Sequence, residues 1–206
     1  GLTCLALGGG QDGQLAAAGG EDGNAYVVHV AGKKVVATLP HFEGDKQQQQ
    51  NNDGMEDDDM DEEGEARSVE AVGFCPAAVP GTGGWCATGG SDGVLKVWNT
   101  SVASGGAAAQ MRQRCVRPVP DGDGGGRAAG VTRLRWHGTL PLVICSYSDG
   151  AVSVWDARDG RLATAFNGGN RDVVNDMAVS FVPGGDAAAV VTGSDDRSVR
   201  VFELRP

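Results

Sequence analysis

The chain has 206 residues, 40% of them apolar, with 34 glycines and a formal charge of −10. Segment 41–67 sets eleven acids against Lys46 and Arg67, so it holds −9 of that charge; the remainder is nearly neutral and shows no basic stripe of the kind nucleic-acid binders carry. No apolar run reaches the roughly 18–20 residues that span a bilayer, and the five scattered cysteines lack CxxC spacing, which points away from zinc or redox motifs and toward buried thiols in a cytoplasmic or nuclear protein.

Strand signals come in groups of four along the chain. The first group covers 2–7, 14–18, 24–30 and 34–39, and the second covers 68–74, 84–88, 94–99 and 110–116. The third covers 131–137, 140–146, 151–156 and 161–166; the fourth reads 173–181, 186–192 and 198–204. Each run is short, rich in Val, Leu, Ala or Trp, and bounded by Gly, Asp or Pro, as antiparallel strands are. Segment 41–67, with its glutamine run at 47–50 and acidic run at 56–65, has too little apolar surface to offset the entropy of ordering and is expected to be disordered. Segment 117–129 reads as a flexible loop.

In each group a polar turn containing Asp leads into the third strand: GGEDGNAYVV (19–28), GGSDGVLKVW (89–98), SYSDGAVSVW (146–155) and GSDDRSVRVF (193–202). A repeating unit that cannot bury its own apolar face must stack on copies of itself. The expected fold is therefore all-β, a β-propeller with blades near 1–40, 68–116, 130–166 and 173–206. Because the last group lacks a fourth strand, the chain is expected to be about four C-terminal blades of a seven- or eight-bladed ring, whose N-terminal half is needed for closure.

The turn acids Asp22, Asp92, Asp149 and Asp196 read as structural, accepting backbone N–H groups and a hydroxyl from the strand before. Thr88, Ser146 and Thr192 on those strands, and Trp98 and Trp155 on the strands after, complete that structural set. GGGQDG (8–13) has the spacing of a dinucleotide loop, but a strand rather than a helix follows it. DGDGGG (121–126) opens like a calcium loop, yet Gly125 and Thr132 occupy ligand positions. His29, His41 and His137 read as isolated. No catalytic set, metal or cofactor is expected.

The repeats resemble WD repeats, most closely at 148–156 and 193–202, although Gly169-Asn170 stands where that family has Gly-His. SVEAVGFCP (68–76), GVTRLRW (130–136), VWDARDGRL (154–162) and the opening LTCLAL (2–7) resemble the angio-associated migratory cell protein family more specifically. The fungal counterpart of that family is the dedicated chaperone of large-subunit ribosomal protein L-ten (bacterial L-sixteen type). The resemblance implies a propeller face that binds the basic N-terminal segment of such a client and escorts it to the pre-60S particle. It places on that face Thr3 and Glu21, Glu70 and Ser91, Thr132 and Ser148, and Asn175 and Asp195, with Asp172 and Tyr147 nearby. Three of the eight are acidic and none is basic, which suits a Lys- and Arg-rich peptide. The alternative is a general WD40 scaffold for signalling, cell migration or ubiquitin-ligase complexes. Segment 41–67 is either a solvated spacer or an attractor of basic ligands.

Overall fold

The computed structural model describes residues 1–9, 14–42, 67–101, 108–118, 128–166, 169–181 and 187–205. The acidic stretch 43–66, loop 119–127 and most of the glycine-rich segment 8–13 lie outside them.

The described residues form four antiparallel sheets in chain order. Blade 1 contains β1 (Leu2–Leu7), β2 (Leu15–Gly20), β3 (Asn24–His29) and β4 (Lys34–Pro40). Blade 2 contains β5 (Val69–Phe74), β6 (Trp85–Gly90), β7 (Val94–Asn99) and β8 (Gln110–Val116). Blade 3 contains β9 (Val131–Trp136), β10 (Leu142–Tyr147), β11 (Val152–Asp156) and β12 (Leu162–Phe166). Blade 4 has three strands, β13 (Val174–Phe181), β14 (Ala188–Ser194) and β15 (Val199–Leu204). The four blades stand side by side as part of a β-propeller, β1 packing on β5, β5 on β9 and β9 on β13.

Strand alternation makes both faces of a blade apolar, so one core lies at each junction. Val27 and Leu39 meet Val72 and Trp98 between blades 1 and 2. Leu95 and Val97 meet Leu134 and Trp136 between blades 2 and 3. Val152 and Val154 meet Met177 and Val190 between blades 3 and 4. Cys75, Cys86, Cys115 and Cys145 are free thiols buried among these side chains, and burial pushes Cys86 up to about 12, which keeps it unreactive.

The second strands extend further than their composition suggests. Gly20, Gly90 and Ser194 still pair in the ladder, opposite Leu2, Val69 and Val174. The glycines inside them serve close approach rather than turning: a Cβ on Gly19 would collide with the Val69 carbonyl, and one on Gly89 with Val131.

Candidate functional site

The four turn acids are held by one local device. Asp22, Asp92, Asp149 and Asp196 each accept the backbone N–H two residues on, at 3.1, 3.0, 3.1 and 2.9 Å. The residue after each acid turns through the left-handed region, as Gly23, Gly93, Gly150 and, in blade 4, Arg197. What completes the turn differs between blades. In blade 1 the Tyr26 hydroxyl donates to Asp22.

In blade 2 the structure corrects the reading of isolated histidines. His41 is fully buried, with Nδ1 2.7 Å from the Thr88 hydroxyl and Nε2 3.4 Å from Asp92. The Trp98 indole donates to the same hydroxyl at 2.9 Å. Thr88 thus reaches Asp92 through the imidazole rather than directly. The acidic insertion separates His41 from the blade it serves, and this hid the spacing that Asn170 shows in blade 4. There the Asn170 amide donates to Thr192 at 3.0 Å, and the Arg171 N–H reaches Asp196 at 2.8 Å.

Blade 3 departs from the expected set. Ser146 lies one residue too late; Cys145 pairs with Leu134, as Thr88 pairs with Val72. Ser146 instead meets the Thr132 hydroxyl at 2.9 Å. The Trp155 indole donates to the Tyr147 hydroxyl at 3.2 Å, and Arg117 stacks 4.5 Å over the Tyr147 ring while holding Asp149. Tyr147 is fully buried, so it is withdrawn from the expected face.

These contacts hold the turn acids below the usual carboxylate range. Tyr26 and the Asn24 N–H do so for Asp22, and the Ser198 hydroxyl with the Arg171 N–H brings Asp196 to about 2. At Asp92 and Asp149 burial pushes upward but is outweighed, by His41 and the Val94 N–H in one and by Arg117 in the other. A depressed folded-state value adds stability above the unfolded value, near pH 4, which is lost as pH falls through the folded one. Denaturation midpoints measured against pH should therefore be flat from about pH 5 upward and fall steadily between about pH 4 and 2.

The candidate face is built by a second repeated device. Each first strand carries a bulge after its first residue: the ladder skips from Leu2 to Cys4, Val69 to Ala71, Val131 to Arg133, and Val174 to Asp176. The residues left out are Thr3, Glu70, Thr132 and Asn175. A bulge removes a residue from pairing and re-aims its side chain. A cleft of about 550 Å³ between blades 2, 3 and 4 gathers three of them, Glu70, Thr132 and Asn175, with Ser91 and Ser148.

Glu70 is half-buried there and accepts the Ser68 hydroxyl at 2.5 Å. The Asn175 amide donates to Asp195 at 2.5 Å, which couples the cleft to the exposed rim. Glu21 and Asp172 are exposed and line no part of the cleft, and the Thr3 hydroxyl is engaged by the Val69 carbonyl. Arg133, unflagged by the repeat positions, also lines the cleft. Its guanidinium donates to the Thr132 carbonyl at 2.7 Å and faces Asp176 at 3.5 Å, with Arg135 at 3.7 Å from the same carboxylate. The cleft is therefore mixed in charge, with Glu70 in its lining and Asp195 on its rim. Among the described residues no group of three His, Cys, Asp or Glu side chains could hold a metal.

A model of the WD domain, G-beta repeat, matches residues 70–99, 114–156 and 160–203. The chain is 34% identical over 202 residues to the angio-associated migratory cell protein of Canis lupus familiaris, and 33% identical to that of Homo sapiens. Each match covers 98% of this chain and 38% of the relative, so the chain spans well under half the length of the curated relatives it matches. The crystal structure of Saccharomyces cerevisiae Sqt1 superposes with a TM-score of 0.68 at 17% identity, over 100% of this chain and 46% of that one, which shows the shared fold.

Proposed function

We propose a function from the premise that this chain belongs to the WD domain, G-beta repeat family. It acts as a non-enzymatic chaperone that captures the basic N-terminal segment of a newly made large-subunit ribosomal protein of the L-ten type, and escorts it toward the pre-60S particle. The observation that carries this reading is the repeated bulge, which aims Glu70, Thr132 and Asn175 into one cleft and leaves Asp195 on its rim. An extended peptide crossing blades 2 to 4 would meet Glu70, then Asp195, with the hydroxyls of Ser91, Thr132 and Ser148 between them for its amides and guanidinium groups. Glu21 and Asp172 extend the acidic rim on either side.

Exposed cation–carboxylate pairs contribute only about 0.2–1 kcal/mol each, so affinity depends on several acting together. Titration of the protein with the basic N-terminal peptide of ribosomal protein L-ten, at low and high salt, tests this. Binding is expected to weaken about tenfold or more with Glu70→Lys, equivalent to roughly 1.4 kcal/mol, and to weaken with salt. An absence of binding at low salt would reject the chaperone reading. Arg133 favours a second reading, a general WD40 scaffold whose partner also offers an acidic group. Such a partner would gain affinity, not lose it, on Glu70→Lys.

A further inference from the structure

We infer that Arg133 sets the specificity of the cleft, which selects a peptide whose basic residues flank a central acidic one. The inference rests on the reading that a basic peptide crosses blades 2 to 4, and adds what that peptide carries at its middle.

The charges of the cleft are ordered along it. At the blade 2 end the Ser68 hydroxyl fixes Glu70 through Oε1 at 2.5 Å, and its other oxygen accepts from no described residue. At the blade 4 end Asp195 is held in the same way, with Oδ1 accepting the Asn175 amide at 2.5 Å. Asp149 also lines the cleft, but Arg117 already holds both of its oxygens. Two carboxylates therefore remain, one at each end, each oriented by a neighbour and each with an oxygen to offer.

Arg133 stands between them, on the first strand of blade 3. The ladder resumes at Arg133 after the bulge, opposite Ser146. Its Nη1 donates to the Thr132 carbonyl at 2.7 Å, which pins the guanidinium to the cleft wall, and the side chain stays 43% exposed. Its Nε faces Asp176 at 3.5 Å, but that carboxylate is shared, because Arg135 approaches the same oxygen at 3.7 Å. These three side chains sum to one positive charge. If a ligand carboxylate takes Arg133, Asp176 keeps the Arg135 guanidinium and is not left unpaired.

The cleft thus reads negative, positive, negative from blade 2 to blade 4. Its complement is a peptide that reads positive, negative, positive. A cation at the middle of the peptide meets a like charge, and such an opposed charge is how a site rejects near-correct partners.

Packed sheets lie about 10 Å apart, so three blades are crossed in about 20 Å, or roughly six to seven extended residues. The probe is an all-Arg peptide of about nine residues, with Ala or Glu walked through every position, and fluorescence anisotropy reads its binding. At the outer positions affinity should fall in the order Arg, Ala, Glu. At the middle the order should reverse, with Glu about threefold tighter than Ala. Arg133→Gln, which keeps an amide donor for the Thr132 carbonyl, should abolish that central preference. Arg133→Glu should make Arg the best residue at every position. Asp176→Asn, which releases Arg133, should enlarge the preference for Glu, and circular dichroism checks that all variants keep their sheet content. The inference fails, with the basic-peptide reading intact, if Glu weakens binding at every position or its central preference survives Arg133→Gln. A preference that shrinks in Asp176→Asn would overturn it in the same way. If no peptide binds the wild-type protein at low salt, the inference and the reading beneath it fall together.

Discussion

Replacing Trp136 with Ala should destabilise the protein more than any other single substitution considered, by about 3–5 kcal/mol. Trp136 is the aromatic member of the first strand in blade 3 and is buried in the core between blades 2 and 3. Its indole N–H donates to the Gly73 carbonyl at 3.0 Å, so it also ties the two blades together by a hydrogen bond. Gly73 is in close contact with Leu134, and the neighbouring backbone has no side chain with which to fill the space left behind. The substitution therefore opens a cavity and leaves a buried carbonyl without its donor, two separate costs. Against a typical domain stability of about 5–15 kcal/mol this is a large fraction. Urea unfolding should show a lower midpoint. Trp136→Phe should recover the larger share, because it restores most of the volume but not the hydrogen bond. Equal losses for Ala and Phe would show that the hydrogen bond, not the packing, dominates.

His41→Ala is expected to cost about 2–4 kcal/mol, by taking a partner from the buried Thr88 hydroxyl and from the partly exposed Asp92 carboxylate. The Lys96 ammonium, which is buried, donates to the His41 backbone carbonyl and is kept in either variant. His41→Asn should cost less, because Asn170 already holds the corresponding hydroxyl, Thr192, in blade 4. Thermal unfolding of the two variants gives the comparison, and a double variant with Thr88→Ala tests the coupling. If His41 acts through Thr88, the double variant should lose less than the sum of the two single losses. Additive losses would show that the two side chains act independently.

Blade architecture was legible because it depends on local periodicity. Alternating apolar residues, an Asp turn and a following left-handed residue recur within each group, and each of these is settled by residues near in sequence. The family resemblance also pointed to Thr3, Glu70, Thr132 and Asn175 as face positions, but that each sits at a bulge came only from the ladder register. What failed was any inference about partners across a junction or an insertion. Ser146 reads as the hydroxyl of the structural set, but register gives that place to Cys145, one residue earlier, and side chains alternate faces with every residue. Tyr147 reads as a rim aromatic, but that same alternation turns it into the blade 2–3 core.

The sequence by itself determined that the chain is all-β and that its blades repeat. Periodicity and turn chemistry encode these within a few residues. Tertiary structure alone decided that His41 closes blade 2 across the acidic insertion and that Arg133 shares the cleft with Glu70. Each of these depends on which residues distant in sequence are brought within a few ångströms.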